Sequence, residues 1–149
     1  MKKGKIRATK KDINPAIKYK LIKSVVSRFN YAIENEFYLE GVTLIESLIC
    51  DRMESRIGEL SKTNTFLGTI GSAFKQLRKI ENDNILIELT DKIFIWSRDR
   101  NIAIHEAVKI ELNKVNDFEN FLKFSKKTAL EGRKLFNSYN KRLNTLRKK

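Results

Sequence analysis

Only one proline and six glycines interrupt 149 residues. Those two residue types are the strongest local breakers of helices, so a chain nearly free of them can run long helices without interruption. Its apolar residues recur three and four apart almost throughout, the period of an amphipathic helix. Pro15 suits a first helical turn, and Asn14 before it offers a capping side chain. Behind it Ile17, Leu21, Ile22, Val25, Val26, Phe29, Ala32 and Ile33 form an inner stripe. A second helix is predicted from about Phe37 to Leu60, with Tyr38, Val42, Ile45, Leu48, Ile49, Met53, Ile57 and Leu60 inward. Ser61 to Thr65 reads as a loop, because small polar side chains compete for the backbone. A third helix carries Ile70, Ala73, Phe74, Leu77 and Ile80, and Glu81-Asn82-Asp83-Asn84 breaks it. A fourth segment carries Ile85, Leu86, Leu89, Ile93 and Trp96, meets the charged stretch Ser97–Asn101, and resumes through Ile102, Val108 and Leu112. Asp117 is placed to cap a last helix with Phe118, Phe121, Leu122, Ala129, Phe136, Tyr139, Leu143 and Leu146 inward. No run alternates with period two for long enough to argue a sheet, and no repeat of 20–50 residues is visible. The reading is all-α, a bundle of four to five helices, with a basic N-terminal tail over 1–12 and one helical domain over 13–149.

Charge is distributed unevenly. Lys and Arg number 31 against 18 Asp and Glu, a formal net charge of +13. Residues 1–11 hold six basic side chains and no acid, and residues 133–149 hold seven and no acid. The 121 residues between them are neutral, with 18 of each sign. Basic ends attract polyanions, since every phosphate neutralised releases counterions. Lys2, Lys3, Lys5 and Arg7 at one end, and Arg142, Arg147, Lys148 and Lys149 at the other, are therefore the expected contacts of a polyanion such as an RNA backbone. No stretch approaches the roughly 20 apolar residues of a membrane span, and no apolar run follows Met1-Lys2-Lys3-Gly4-Lys5 to make a secretory leader. A lone Cys50 excludes an internal disulfide and suggests a reducing, cytoplasmic setting. One histidine and one cysteine cannot make a Cys/His zinc site, and no cofactor or metal is expected.

Three signals are set aside. Gly68-Thr69-Ile70-Gly71-Ser72 lacks the Gly-Lys-Ser/Thr signature of a phosphate loop. Cys50 sits between Ile49 and Met53 as a small core thiol. Glu36, Glu40 and Glu46 lack the repeated Glu-x-x-His of a di-metal bundle. What remains is Arg98-Asp99-Arg100-Asn101-Ile102-Ala103-Ile104-His105-Glu106. On a regular helix Arg98 and His105 stand about 20° apart, Asn101 and His105 about 40°, and Arg100 and His105 about 140°. Such a group suits phosphodiester cleavage. Imidazole can take a proton from a ribose 2′-hydroxyl and return one to a leaving oxygen near neutral pH. Guanidinium can meet the charge that builds on phosphate, and Asn101 can hold either partner by a hydrogen bond.

The same segment resembles the HEPN superfamily, helical bundles with an R-x(4–6)-H motif and a polar residue after the arginine. Arg100-Asn101…His105 matches with four residues between, and Arg98-Asp99…His105 with six. Tyr38-Leu39-Glu40 through Asp51-Arg52-Met53-Glu54 is similar to the long second helix of HEPN and mannitol-operon-repressor-like domains, and Leu67-Gly68-Thr69-Ile70-Gly71 to the turn behind it. The resemblance implies a metal-independent endoribonuclease of the toxin or abortive-infection kind, cutting single-stranded RNA to leave 2′,3′-cyclic phosphate ends. It further implies a homodimer with both motifs on a shared cleft, an antitoxin protein as a further partner, and no membrane. Arg100, Asn101 and His105 inherit the site roles, with Arg98 competing as the motif arginine. Ala107 stands where antitoxin-paired members carry a tyrosine. The alternative is a HEPN-like adaptor or regulator that binds RNA or protein without turnover. A DNA-binding repressor ranks lower, for want of a basic recognition helix.

Overall fold

A computed structural model describes residues 14–62, 68–106 and 117–148. It contains five helices and, among the described residues, no strand: α1 (Pro15–Glu34), α2 (Tyr38–Ser61), α3 (Ile70–Ile80), α4 (Asn84–His105) and α5 (Phe118–Arg147). Four of the five helices begin at a side-chain cap. The Asn14, Thr69, Asp83 and Asp117 side chains accept amide hydrogens from the first turns of α1, α3, α4 and α5. Helix α2 ends where Lys62 turns left-handed, with φ at 53°.

Helix α2 is the axis of the bundle. Its buried residues include Gly41, Val42, Ile45, Leu48, Ile49 and Met53, too wide a set for a single neighbour. It packs against α1, α3, α4 and α5 in turn, while α4 and α5 also pack on each other. Helices α4 and α5 are antiparallel. The Trp96 indole N–H donates to the Thr128 carbonyl at 2.8 Å, and Arg142 reaches Asp83 at the other end. Glycine brings helices together at Gly132, where a Cβ would stand 2.6 Å from the Trp96 ring and 2.8 Å from Ile45.

The structure corrects the sequence reading in two places. The charged stretch Ser97–Asn101 does not interrupt α4, which runs unbroken to His105. Val108 and Leu112, expected to extend it, lie outside the described residues. Ile17, Leu21, Ile85 and Phe118, expected inward, are exposed. For Ile17 and Leu21 the reason is that α1 rests mainly on α2, so the apolar arc of α1 is wider than the surface available to cover it. Ile85 and Phe118 stand in the first turns of their helices, where neighbours on one side are missing.

Candidate functional site

Helix α4 has two faces of opposite character. Leu86, Thr90, Ile93, Trp96 and Ala103 are buried against α2 and α5, while Ile95, Arg98, Asn101, Ile102 and His105 are exposed. The helical wheel places Arg98, Asn101 and His105 within about 60° of one another on the outward arc. His105 occupies the last turn of α4.

Arg100 points the other way. Its guanidinium pairs with Glu46 of α2 and donates to the Asn101 side-chain oxygen, and its Nε is buried without a hydrogen-bond partner. Burial lowers its pKa from the ordinary arginine value. This arginine, expected from the resemblance to serve the site, instead braces α4 onto α2. Arg98 stays outside, its guanidinium carbon 5.9 Å from the Phe94 ring centroid. Phe94 in turn stacks on Phe74 of α3 at 4.1 Å. Arg98 therefore leans one turn toward the start of α4, the usual direction of helical side chains and away from His105.

The expected RNA-holding ends divide differently. Lys2, Lys3, Lys5, Arg7 and Lys149 lie outside the described residues. Arg142 bonds Asp83, with Nε 3.1 Å from Oδ1, and so fastens α5 to the cap of α4. That hydrogen bond, outweighing burial, holds the Asp83 carboxyl below its ordinary pKa. Arg147 donates to Glu59 at 2.6 Å and to the Ser55 hydroxyl at 2.8 Å. Both arginines hold the bundle together, a correction to their reading as free phosphate contacts. Lys148 remains exposed at the end of α5.

Sequence reasoning missed a polar cluster where α2 meets the α3–α4 turn. Arg56 grips Glu81 through two bonds of 2.7 and 2.8 Å, and Glu81 also accepts the backbone N–H groups of Asn82 and Asp83. It missed Arg133 too, whose guanidinium lies 5.6 Å from the Phe29 ring and 5.8 Å from that of Phe136. Neither has a short motif; each depends on residues far apart in the chain.

The signals set aside behave as ordinary structure. The Gly68 amide donates to the Glu54 carboxylate at 3.1 Å, so this group of the glycine-containing turn already serves an internal acid. Burial pushes the Cys50 thiol up to about 12, with Glu54 and Asp51 adding to the shift. A thiol so rarely ionised is a poor nucleophile. Cys50 is expected to react with Ellman's reagent at pH 8 at least tenfold more slowly in the native protein than in urea. Equal rates would show an accessible, ordinary thiol.

Among the described residues no group of three or more His, Cys, Asp or Glu could hold a metal ion, and no helix is long and apolar enough to cross a membrane. Among the described residues these features define a bundle of five helices that exposes Arg98, Asn101 and His105 along one arc of α4. No family model matches the chain, and no curated protein or solved structure shows significant similarity to it.

Proposed function

We propose that the chain is a HEPN-type endoribonuclease, independent of metal, that cleaves single-stranded RNA as a cytoplasmic toxin or phage-defence enzyme. The observation that supports this most is the exposure of Arg98, Asn101 and His105 together on the outward arc of the last turns of α4. In this reading Arg98, rather than the inward Arg100, is the motif arginine. The His105 imidazole removes the proton of a ribose 2′-hydroxyl. The 2′-oxygen then attacks phosphorus, and the bond to the 5′-oxygen breaks as that oxygen takes a proton from an imidazolium. The products are a 2′,3′-cyclic phosphate and a 5′-hydroxyl. The Arg98 guanidinium meets the charge that gathers on the phosphorane oxygens. Asn101 offers a hydrogen bond to phosphate or to the imidazole.

Two residues seven apart are separated by about 10 Å of helix rise. With Arg98 laid on Phe94, one chain does not aim both groups at the same phosphate. The reading therefore requires a homodimer, in which the arginine and imidazole of two copies share one cleft; an antitoxin protein would bind over that cleft. The same observation favours a second reading, a HEPN-like adaptor that binds RNA or protein without cleaving.

The deciding experiment is cleavage of unstructured RNA in excess EDTA. His105→Ala and Arg98→Ala are each expected to lose at least a hundredfold in rate, a typical scale for a general acid/base or a charge-stabilising donor. Arg100→Ala is expected to act through stability instead. A wild-type chain that binds several RNAs but cuts none supports the adaptor and removes the nuclease.

A further inference from the structure

Helix α5 spans 30 residues, with eight basic and two acidic side chains. Beyond Glu131 the chain has no further Asp or Glu. The bundle sorts these cations by type. Arg142 and Arg147 reach inward to Asp83 and Glu59, and Arg133 lies over two aromatic rings. The lysines are left outside. Lys127, Lys134 and Lys141 are exposed, and Lys148 continues the series at the helix end.

Their spacing is seven residues throughout. Seven residues fall about 20° short of two full turns, so the four lysines hold one face with a slow drift. That face lies opposite the buried stripe of Ala129, Gly132, Phe136 and Leu143. Each step rises about 10 Å, giving a straight ridge of about 30 Å. Lys127 has a distant i,i+4 contact of 3.9 Å with Glu131, while Lys134, Lys141 and Lys148 form no ion pair among the described residues. Surfaces shaped for solubility alone intersperse the two signs; a field of one sign is the footprint of a polyanion site.

A groove of about 450 Å³ runs beside the ridge between α4 and α5. Lys141 stands on one side and Lys92, paired with Glu88 at 2.6 Å, on the other; Ser138 adds a hydroxyl, while that of Thr145 donates to the Lys141 carbonyl at 3.0 Å. Ammonium and hydroxyl groups are the donors that phosphate oxygens take. Between the lysines the outer surface carries Asn137, Ser138, Asn144 and Thr145, with Leu130 the one large apolar side chain. Sites for unstacked single strands pair a basic track with aromatic rings for the bases, and this ridge offers donors for phosphate instead.

We infer that the outer edge of α5 docks the phosphodiester backbone of a nucleic-acid double helix. A rigid rod of evenly pitched charge matches a polyanion that is itself straight and stiff, with roughly nine base pairs alongside a 30 Å ridge. Contact is through phosphates and carries no sequence preference. The surface stands apart from the proposed cleavage chemistry, because binding needs neither His105 nor Arg98.

The test uses the full chain carrying His105→Ala, so that no probe is cut. Fluorescence anisotropy follows binding of a labelled RNA duplex of about 20 base pairs, the DNA duplex of the same sequence, and one strand alone, between about 50 and 300 mM salt. Lys134→Gln with Lys141→Gln is expected to lower the slope of log affinity against log salt by about two for a duplex. That amounts to about 30-fold weaker binding at 0.15 M salt, with affinities converging near 1 M. Loss on both duplexes assigns the site to helical backbone in general; loss on RNA alone assigns it to A-form. Lys20→Gln with Lys23→Gln removes the same charge from exposed positions on α1 and is expected to leave the slope unchanged. Equal losses from the two pairs, no loss from the ridge pair, or tighter binding to the single strand would overturn the inference. So would stronger capture by phosphatidylglycerol vesicles than by either duplex.

Discussion

Gly132→Ala is expected to destabilise the protein by about 2–3 kcal/mol, although alanine is the better helix former by about 1 kcal/mol. The added Cβ would meet Trp96 Cζ2 at 2.6 Å, Ile45 Cγ2 at 2.8 Å and Trp96 Cε2 at 2.9 Å. Neither neighbour can give way cheaply. Ile45 is fully buried, and the Trp96 indole is tethered by its bond to the Thr128 carbonyl. Relief must come from moving α5 away from α2 and α4, which opens space along the centre of the bundle. For a chain of this size the loss corresponds to a fall in Tm of about 5–10 °C. Trp96 is the only tryptophan, so a red shift of its emission would report the same displacement. Gly71→Ala is the control, since nothing lies within 4 Å of a Cβ there. Similar Tm values for the two variants would refute this account of the close approach.

Glu81→Gln is expected to cost about 2 kcal/mol, because it removes the closer of the two carboxylates that compensate Arg56 and leaves only Glu59 at 3.6 Å. The Glu81 side chain is 1% exposed and that of Arg56 15%. Glutamine preserves the shape and one oxygen for the turn amides, but it cannot neutralise Arg56. The pH dependence distinguishes lost charge from lost shape. Burial pushes the Glu81 carboxyl up, yet the hydrogen bond from Arg56 and the amides of Asp83 and Asn82 outweigh it and hold the pKa below the ordinary value. A depressed folded pKa means stability that is complete above the unfolded value of about 4.3 and lost as pH falls through the folded one. Urea midpoints of wild type and variant should thus converge over the acidic window that opens below about pH 4.3. A gap that stays constant over that window would mean that the carboxylate charge contributes nothing.

How much of this was legible beforehand follows from the range of each interaction. Asn14 and Asp117 announce their helices because a cap acts within three residues, and both side chains do accept first-turn amides. The angle of about 140° between Arg100 and His105 followed from helical period, but not which of the two would face the core. The pairs Arg56–Glu81 and Arg142–Asp83 join residues 25 and 59 positions apart, and no local pattern marks them. Nor does periodicity tell which apolar stripe will be covered, as exposed Ile17 and Leu21 show.

The amino-acid order by itself determined an all-helical chain of four to five segments, the caps at Asn14 and Asp117 and the sign of the charge at the chain ends, since all of these depend on neighbours within a turn or two. Tertiary packing alone decided which cations are available. It sent Arg100, Arg142 and Arg147 to Glu46, Asp83 and Glu59, and left Arg98, His105 and the lysines of α5 facing water. The reason is geometric: a long side chain finds its partner only once two helices lie beside each other, and their register is set by how the whole core packs.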